Sequence, residues 1–128
     1  MPRFVVLRHD LPPDAARRSH WDFMVEHGDA LRTWALEEEP AIDRPIDAER
    51  LDDHRLAYLD YEGPVSGDRG SVTRWDRGEC TIEVATLQRV VVAVQGKKLV
   101  GHVEIESRSE GSPNAIFTWR SATPAASP

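Results

Sequence analysis

The sequence contains few of the residues that mark several common protein classes. It has one cysteine, Cys80, so no disulfide can form within the chain, and its only lysines are Lys97 and Lys98. No apolar run is long enough to span a membrane, and the start, MPRFVVLRHD, has no apolar core typical of a signal peptide. These absences favour a reducing compartment and no membrane contact, so we expect a cytoplasmic location.

The charge balance is negative, at −6 for 128 residues. Broad nonspecific binding of nucleic acid depends on neutralising many phosphates, so this balance argues against it. A small site that grips a single phosphate is still compatible with the charge. The common nucleotide-binding and nucleophile motifs, such as G-x-x-x-x-G-K-[ST], G-x-G-x-x-G and G-x-S-x-G, are absent.

Short apolar or alternating segments separated by turn signals dominate the chain. Strands are predicted over residues 3–7, 20–26, 30–38, 71–75, 80–87, 89–95, 98–107 and 115–121, with turns at 27–29, 76–78 and 95–98. The proline-broken stretch 39–50 is predicted to be mostly loop, and residues 51–71 irregular with a short helical turn at most. The pattern favours an all-β fold, a compact β-barrel or sandwich of short strands with few or no helices.

One domain accounts for this pattern. We expect it to cover residues 1–121, and we expect residues 122–128, ATPAASP, to form a disordered tail.

Possible metal ligands are concentrated in RHDLPPDAARRSHWDF, residues 8–23. His20 and Asp22 share one face of a predicted strand, since side chains two residues apart point the same way. If the first two strands pair, His9 lies beside His20. Two nitrogens and a carboxylate would suit Mn²⁺, Zn²⁺ or Fe²⁺. The alternative is an ordinary polar hairpin, because surface strands often carry such residues.

A second group of polar side chains lies in DHRLAYLDYEG. His54 could act as a general acid or donate to a phosphate oxygen, and Tyr58 could donate its hydroxyl. The alternative is that His54 is a satisfied loop residue and Tyr58 an aromatic at the edge of the core.

Five stretches in one order resemble the 3′-phosphoesterase domain of bacterial and archaeal DNA ligase D: RFVVLRHD, HWDFMVE, LRTWAL, DHRLAYLDYEGPVSG and GSVTRWDRG. The resemblance covers residues 3–107 and is closest over 54–78. It implies a compact β-barrel that binds Mn²⁺ and removes 3′-phosphates and terminal ribonucleotides from DNA 3′ ends during end joining. The partners it implies are DNA 3′ ends or other phosphate esters. Because the sequence contains no polymerase or ligase domain, we expect any DNA ligase or polymerase partner to be a separate polypeptide.

The resemblance also implies roles for individual residues. By matching motifs, His9, His20 and Asp22 are implied to bind the metal. His54 is implied to be catalytic, and Tyr58 to contact the substrate.

Two positions depart from the family pattern. Met24 stands where the family has an arginine that contacts phosphate, and Glu38 falls near a family lysine. Loss of such clamps weakens transition-state stabilisation, so three functions stay open. They are a metal-dependent phosphoesterase, a fold-preserved module that binds DNA ends or a repair protein, and an interaction domain without metal.

Three arginines are candidates for the missing positive charge. Arg17 and Arg18 lie in the loop between the first two histidines, which carries an insertion relative to the family. Arg50 precedes His54 by four residues and would share its face in a regular extended segment.

Overall fold

The structure is a computed structural model that describes residues 1–121, and the tail predicted at 122–128 lies outside the described residues. Nine β-strands are present in this part of the chain: β1 (Arg3–Asp10), β2 (His20–His27), β3 (Ala30–Leu36), β4 (Ile46–Arg55), β5 (Gly63–Pro64), β6 (Ser71–Ala85), β7 (Arg89–Gly96), β8 (Val100–Ser107) and β9 (Asn114–Arg120). A single 3₁₀ turn, Leu56–Leu59, follows β4. None of the helical structure described here is long or apolar enough to cross a membrane.

Eight of these strands close into an antiparallel β-barrel. Their order is β1-β2-β3-β4-β9-β8-β7-β6, and β6 pairs back with β1. The two-residue β5 joins only the start of β6. The predicted all-β barrel is therefore confirmed, and closure removes the free edges that an open sheet would expose.

The barrel wall near β1 is buried on both faces. Phe4 and Val6 point into the barrel and pack in its main core with Phe23. Val5 and Leu7 point outward, because successive side chains of a strand alternate between faces. They belong to a second cluster of buried residues, which we call the outer cluster. Its members are Val5, Leu7, Met24, Leu31, Leu59 and Val72. The segment around the 3₁₀ turn covers it, with Leu56, Tyr58 and Val65 packed against it.

The predictions of a loop at residues 46–50 and of irregular structure at residues 51–55 were wrong. Residues 46–50 belong to strand β4 and not to a loop, because Pro40 and Pro45 both precede the strand, whose Ile46 and Ala48 are buried. Residues 51–55 continue that strand, and the short helical turn expected further on is present at Leu56–Leu59.

The turn predicted at residues 76–78 is also wrong, since β6 runs through it. Asp and Gly favour turns in general, but here both are used by tertiary contacts. The Asp76 carboxylate accepts backbone hydrogen bonds from the turn between β7 and β8. A side chain at Gly78 would place its Cβ 2.0 Å from the Gln95 carbonyl oxygen on β7.

Candidate metal centre

His9, His20 and Asp22 converge on the outer face of the barrel. His9 is opposite His20 in the β1–β2 ladder, as predicted, and the two rings lie 4.9 Å apart. His9 Nδ1 is 3.4 Å from Asp22 Oδ2, and His20 Nε2 is 3.0 Å from Asp22 Oδ1. One potential ligand atom from each residue lies within 4.8 Å of the others. Of the described residues, no other group of three or more His, Cys, Asp or Glu side chains comes together in this way.

Backbone carbonyls fix the orientation of both imidazoles. His9 Nε2 donates to the Arg69 carbonyl oxygen at 2.6 Å, and His20 Nδ1 donates to the Arg18 carbonyl oxygen at 2.9 Å. A carbonyl can only accept, so each ring must carry its proton on that nitrogen. In the neutral rings, the lone pairs of His9 Nδ1 and His20 Nε2 therefore point towards the Asp22 carboxylate.

The candidate metal centre contains a buried carboxylate and buried polar atoms without hydrogen-bond partners. His20 Nε2 and Asp22 Oδ1 are both buried and lack a hydrogen-bond partner, although they are close together. Burial raises the pKa of Asp22, but the neighbouring His20 and His9 outweigh it and hold that pKa below its ordinary value. The Asp22 carboxylate in turn raises the pKa of His9. A buried carboxylate and two inward lone pairs fit a divalent cation.

His54 and Tyr58 form a separate pair further along the same face. His54 is opposite Leu31 on β3, whereas Asp22 is opposite Ala35, so about 13 Å of strand separates the two levels. The His54 and Tyr58 rings lie 5.7 Å apart. His54 Nδ1 donates to the Asp52 carbonyl oxygen at 2.8 Å, which leaves Nε2 as its second nitrogen.

Arg50 does not share the face of His54, contrary to the sequence prediction. The β3–β4 ladder shifts register between Leu31 and Thr33, so β4 holds one extra residue there. Such a bulge reverses the alternation that the prediction assumed. Arg50 is opposite Trp34, and its guanidinium lies 5.7 Å from the Trp34 ring centroid, on the side of the main core.

Arg17 and Arg18 lie beside the candidate metal centre, at the rim of a groove of about 640 Å³ that His20 also lines. Arg17 Nη1 forms an ion pair with Glu49 Oε1 at 2.9 Å. Arg18 is exposed and has no acidic partner among the described residues. We call this space the arginine groove.

The two departures from the family pattern have different surroundings. Met24 is 1% exposed and packs in the outer cluster, between the levels of Asp22 and His54. Glu38 lines the arginine groove, where Arg44 Nη2 lies 2.6 Å from its carboxylate.

Sequence reasoning missed the residues that hold the histidines in place. Arg69 contributes its carbonyl oxygen to His9, and Gly70 makes this possible: its φ is +75°, and a Cβ there would lie 1.8 Å from the Asp10 carbonyl oxygen. The glycine itself is visible in GDRGS, but its close approach to the end of β1 is a tertiary contact. Arg108, paired with Asp47 at the arginine groove, carried no sequence signal.

Comparison with known proteins identifies the class to which this fold and centre belong. The family model of the DNA Ligase D 3′-phosphoesterase domain matches residues 13–106, so the chain belongs to that family. The matched region includes His20, Asp22, His54 and Tyr58 and begins after His9.

A curated relative is the "Multifunctional non-homologous end joining protein LigD" of Pseudomonas aeruginosa, which is 36% identical over 84 residues. The aligned region covers 62% of this chain and 9% of that protein. The chain therefore spans only a small part of the relative's length.

Proposed function

We propose that this protein is a metal-dependent phosphoesterase that processes DNA 3′ ends for end joining. The observation that carries the proposal is the convergence of two imidazole lone pairs on a buried, ionised Asp22. Membership of the DNA Ligase D 3′-phosphoesterase domain family supports DNA as the substrate.

His9, His20 and Asp22 would hold the metal, and Mn²⁺ is the ion that we propose, with Zn²⁺ or another divalent transition metal as the alternative. Nitrogen and carboxylate ligands suit these ions. The carbonyls of Arg69 and Arg18 would act as the outer partners that orient metal-binding histidines. Such an ion supplies Lewis-acid stabilisation of a phosphoryl oxygen and lowers the pKa of a bound water.

The remaining residues would position the phosphate and the leaving group. Arg18 is free of acidic partners beside His20 and would pair with phosphate oxygens. His54, once protonated at Nε2, would donate to the leaving 3′-oxygen or to a phosphate oxygen, and Tyr58 would donate from its hydroxyl. Hydrolysis of a 3′-phosphate consumes one water and yields inorganic phosphate and a 3′-hydroxyl, which a DNA ligase could seal.

The test is product formation on DNA primers that end in a 3′-phosphate or a 3′-ribonucleotide, with Mn²⁺ present. We expect the unmodified protein to form a 3′-hydroxyl end, and His20→Ala to lose that activity. His102→Ala is the matched control, because His102 lies 3.4 Å from Glu83 in an exposed pair outside the centre. Turnover no higher than that of His20→Ala would contradict the proposal.

A DNA-end binding module is the second candidate, and Met24 and Glu38 are the observations that favour it. Neither side chain can donate to a phosphate, and Met24 is enclosed by apolar neighbours. A module of this kind would bind 3′-ended DNA with an affinity that falls as salt rises, and would release no product. An interaction domain without metal is the third candidate, and stoichiometric metal in protein purified without chelator, lost in His9→Ala, would contradict it.

A further inference from the structure

Cations follow the outer face of β6 away from the candidate metal centre. Arg74 is opposite Leu7 and Arg77 is opposite Val5 on β1. Leu7 and Val5 share a face with His9, because β1 alternates without interruption against β2. The two arginines therefore lie on the same outer face as the metal centre, progressively further from it.

The turn between β7 and β8 continues this line with the only two lysines of the chain. The buried Asp76 carboxylate accepts the backbone N–H groups of Lys97, Lys98 and Leu99 at 3.0, 3.0 and 2.7 Å. A Cβ at Gly96 would lie 2.2 Å from Asp76 Oδ2, so the glycine lets the turn close on this carboxylate. The turn is thus fixed by its backbone, which leaves both lysine side chains available.

Neither lysine ammonium has a carboxylate partner in the described part of the chain. Both lysines are exposed, and Lys98 Nζ lies 4.8 Å from the Trp75 ring centroid. This contact holds one ammonium against the barrel while it faces solvent.

These residues line a single open space of about 600 Å³, which we call the basic groove. Its charged lining consists of five cations, Arg3, Arg74, Arg77, Lys97 and Lys98, and three carboxylates, Asp60, Asp76 and Glu79. Asp76 is directed at the turn backbone and is only 5% exposed. By contrast, the charged lining of a larger space of about 920 Å³ consists of one cation, Arg50, and three carboxylates, Asp52, Asp53 and Glu110. The basic groove therefore carries local positive charge on an acidic protein.

Each of the three arginines of the basic groove has an acidic partner, and Arg3 Nη1 lies 3.8 Å from Asp60 Oδ2. Arg77 Nη1 lies 3.2 Å from Asp60 Oδ1, and Arg74 Nη1 lies 3.9 Å from Glu62 Oε1. The exposed Arg77 pair contributes little free energy, and its guanidinium has further N–H donors for an anion. Arg74 is half-buried with its Nε enclosed, so only its terminal Nη groups are offered to an anion.

The spacing matches a nucleic-acid strand. Arg3 and His9 are six residues apart on β1, which is about 20 Å of strand. One DNA strand rises about 3.4 Å per nucleotide, so about six nucleotides span that distance. We infer that the basic groove binds the sugar–phosphate backbone of the DNA strand whose 3′ end reaches the metal centre, about six nucleotides from that end. The inference rests on the proposed function for the identity of the substrate.

The test compares two DNA hairpins that end in a 3′-phosphate, with stems of about 4 and about 12 base pairs, since only the longer stem reaches the basic groove. Binding is measured by fluorescence anisotropy at about 50 and about 200 mM salt. We expect Lys97→Gln/Lys98→Gln to weaken binding of the long hairpin only. Two lost phosphate contacts reduce the slope of the logarithm of the binding constant against the logarithm of the salt concentration by about 1.8. The ratio of the binding constants of the unmodified protein and this variant should therefore shrink about 12-fold between these salt concentrations. Lys97→Arg/Lys98→Arg should retain binding.

The charge-matched control is Arg89→Gln/Arg120→Gln, which removes two positive charges that both pair with Glu104, outside the basic groove. It should bind both hairpins as the unmodified protein does. Equal losses in the lysine variant and this control, an equal loss on the short hairpin, or no binding by the unmodified protein would overturn the inference. Phosphate release from the short hairpin tests the proposed function separately, because that substrate does not reach the lysines.

Discussion

Addition of Mn²⁺ should raise the melting temperature of this protein, and Asp22→Asn should abolish the increase. A ligand that binds only the folded state stabilises it by about 2.7 kcal/mol at a free concentration 100 times its Kd. Unfolding of 128 residues carries an entropy of about 0.27 kcal/mol/K, from about 2.1 cal/mol/K per residue. The expected shift is therefore about 10 °C. Asp22→Asn keeps the shape of the side chain but removes the charge between His9 and His20.

The assay is thermal unfolding followed by circular dichroism, on chelator-treated protein with and without Mn²⁺. It reports metal binding without depending on turnover, so it separates an inactive metal site from the absence of one. His20→Ala should lose the shift as Asp22→Asn does. His102→Ala should keep it, because the exposed His102–Glu83 pair lies outside the centre.

Two results would refute this reasoning. An unchanged melting temperature of the unmodified protein at millimolar Mn²⁺ would show that the converging lone pairs do not bind the ion. An equal increase in Asp22→Asn and the unmodified protein would place the bound ion elsewhere on this acidic chain.

Three further predictions follow from single contacts. Asp76→Ala should lower the free energy of unfolding in urea by about 3 kcal/mol, because it leaves the buried N–H of Leu99 and the partly buried N–H groups of Lys97 and Lys98 without their acceptor. A loss below about 1 kcal/mol would contradict the role of this carboxylate. Burial raises the pKa of the Cys80 thiol to about 11, so a thiol reagent at about pH 8 should label it only after unfolding, and rapid labelling of the native protein would show otherwise. Arg18→Gln should lower kcat/KM on a 3′-phosphate end about 100-fold. Met24→Leu only repacks the outer cluster and should leave kcat/KM unchanged. A larger loss in Met24→Leu than in Arg18→Gln would show that Arg18 does not contact the phosphate.

Sequence patterns were sufficient for the parts of the molecule that local chain geometry determines. The alternation in HWDFMVE placed His20 and Asp22 on one face, and the short connection from β1 to β2 placed His9 beside them. Both conclusions need only the two-residue period of a strand and the pairing of neighbouring strands.

Tertiary contacts decided the features that the sequence did not reveal. The orientation of Arg50 depends on an extra residue in β4, and a bulge leaves no trace in simple alternation. The continuation of β6 through residues 76–78 depends on Asp76 accepting hydrogen bonds from a turn about 20 residues later. The proton positions of His9 and His20 depend on two backbone carbonyls, whose placement no side-chain motif encodes.

The candidate metal centre and the outer cluster depend on the same chain segment. The stretch from β4 to β6 supplies Leu59, which is 2% exposed and seals the outer cluster over β1. The same stretch then supplies the Arg69 carbonyl that fixes the His9 ring at the end of β1. Because both contacts anchor one segment on one strand, loss of packing at Leu59 would also release the restraint on His9. The outer cluster therefore anchors the segment whose Arg69 carbonyl orients the His9 ring, so packing on the outer face of β1 and the geometry of the candidate metal centre are linked.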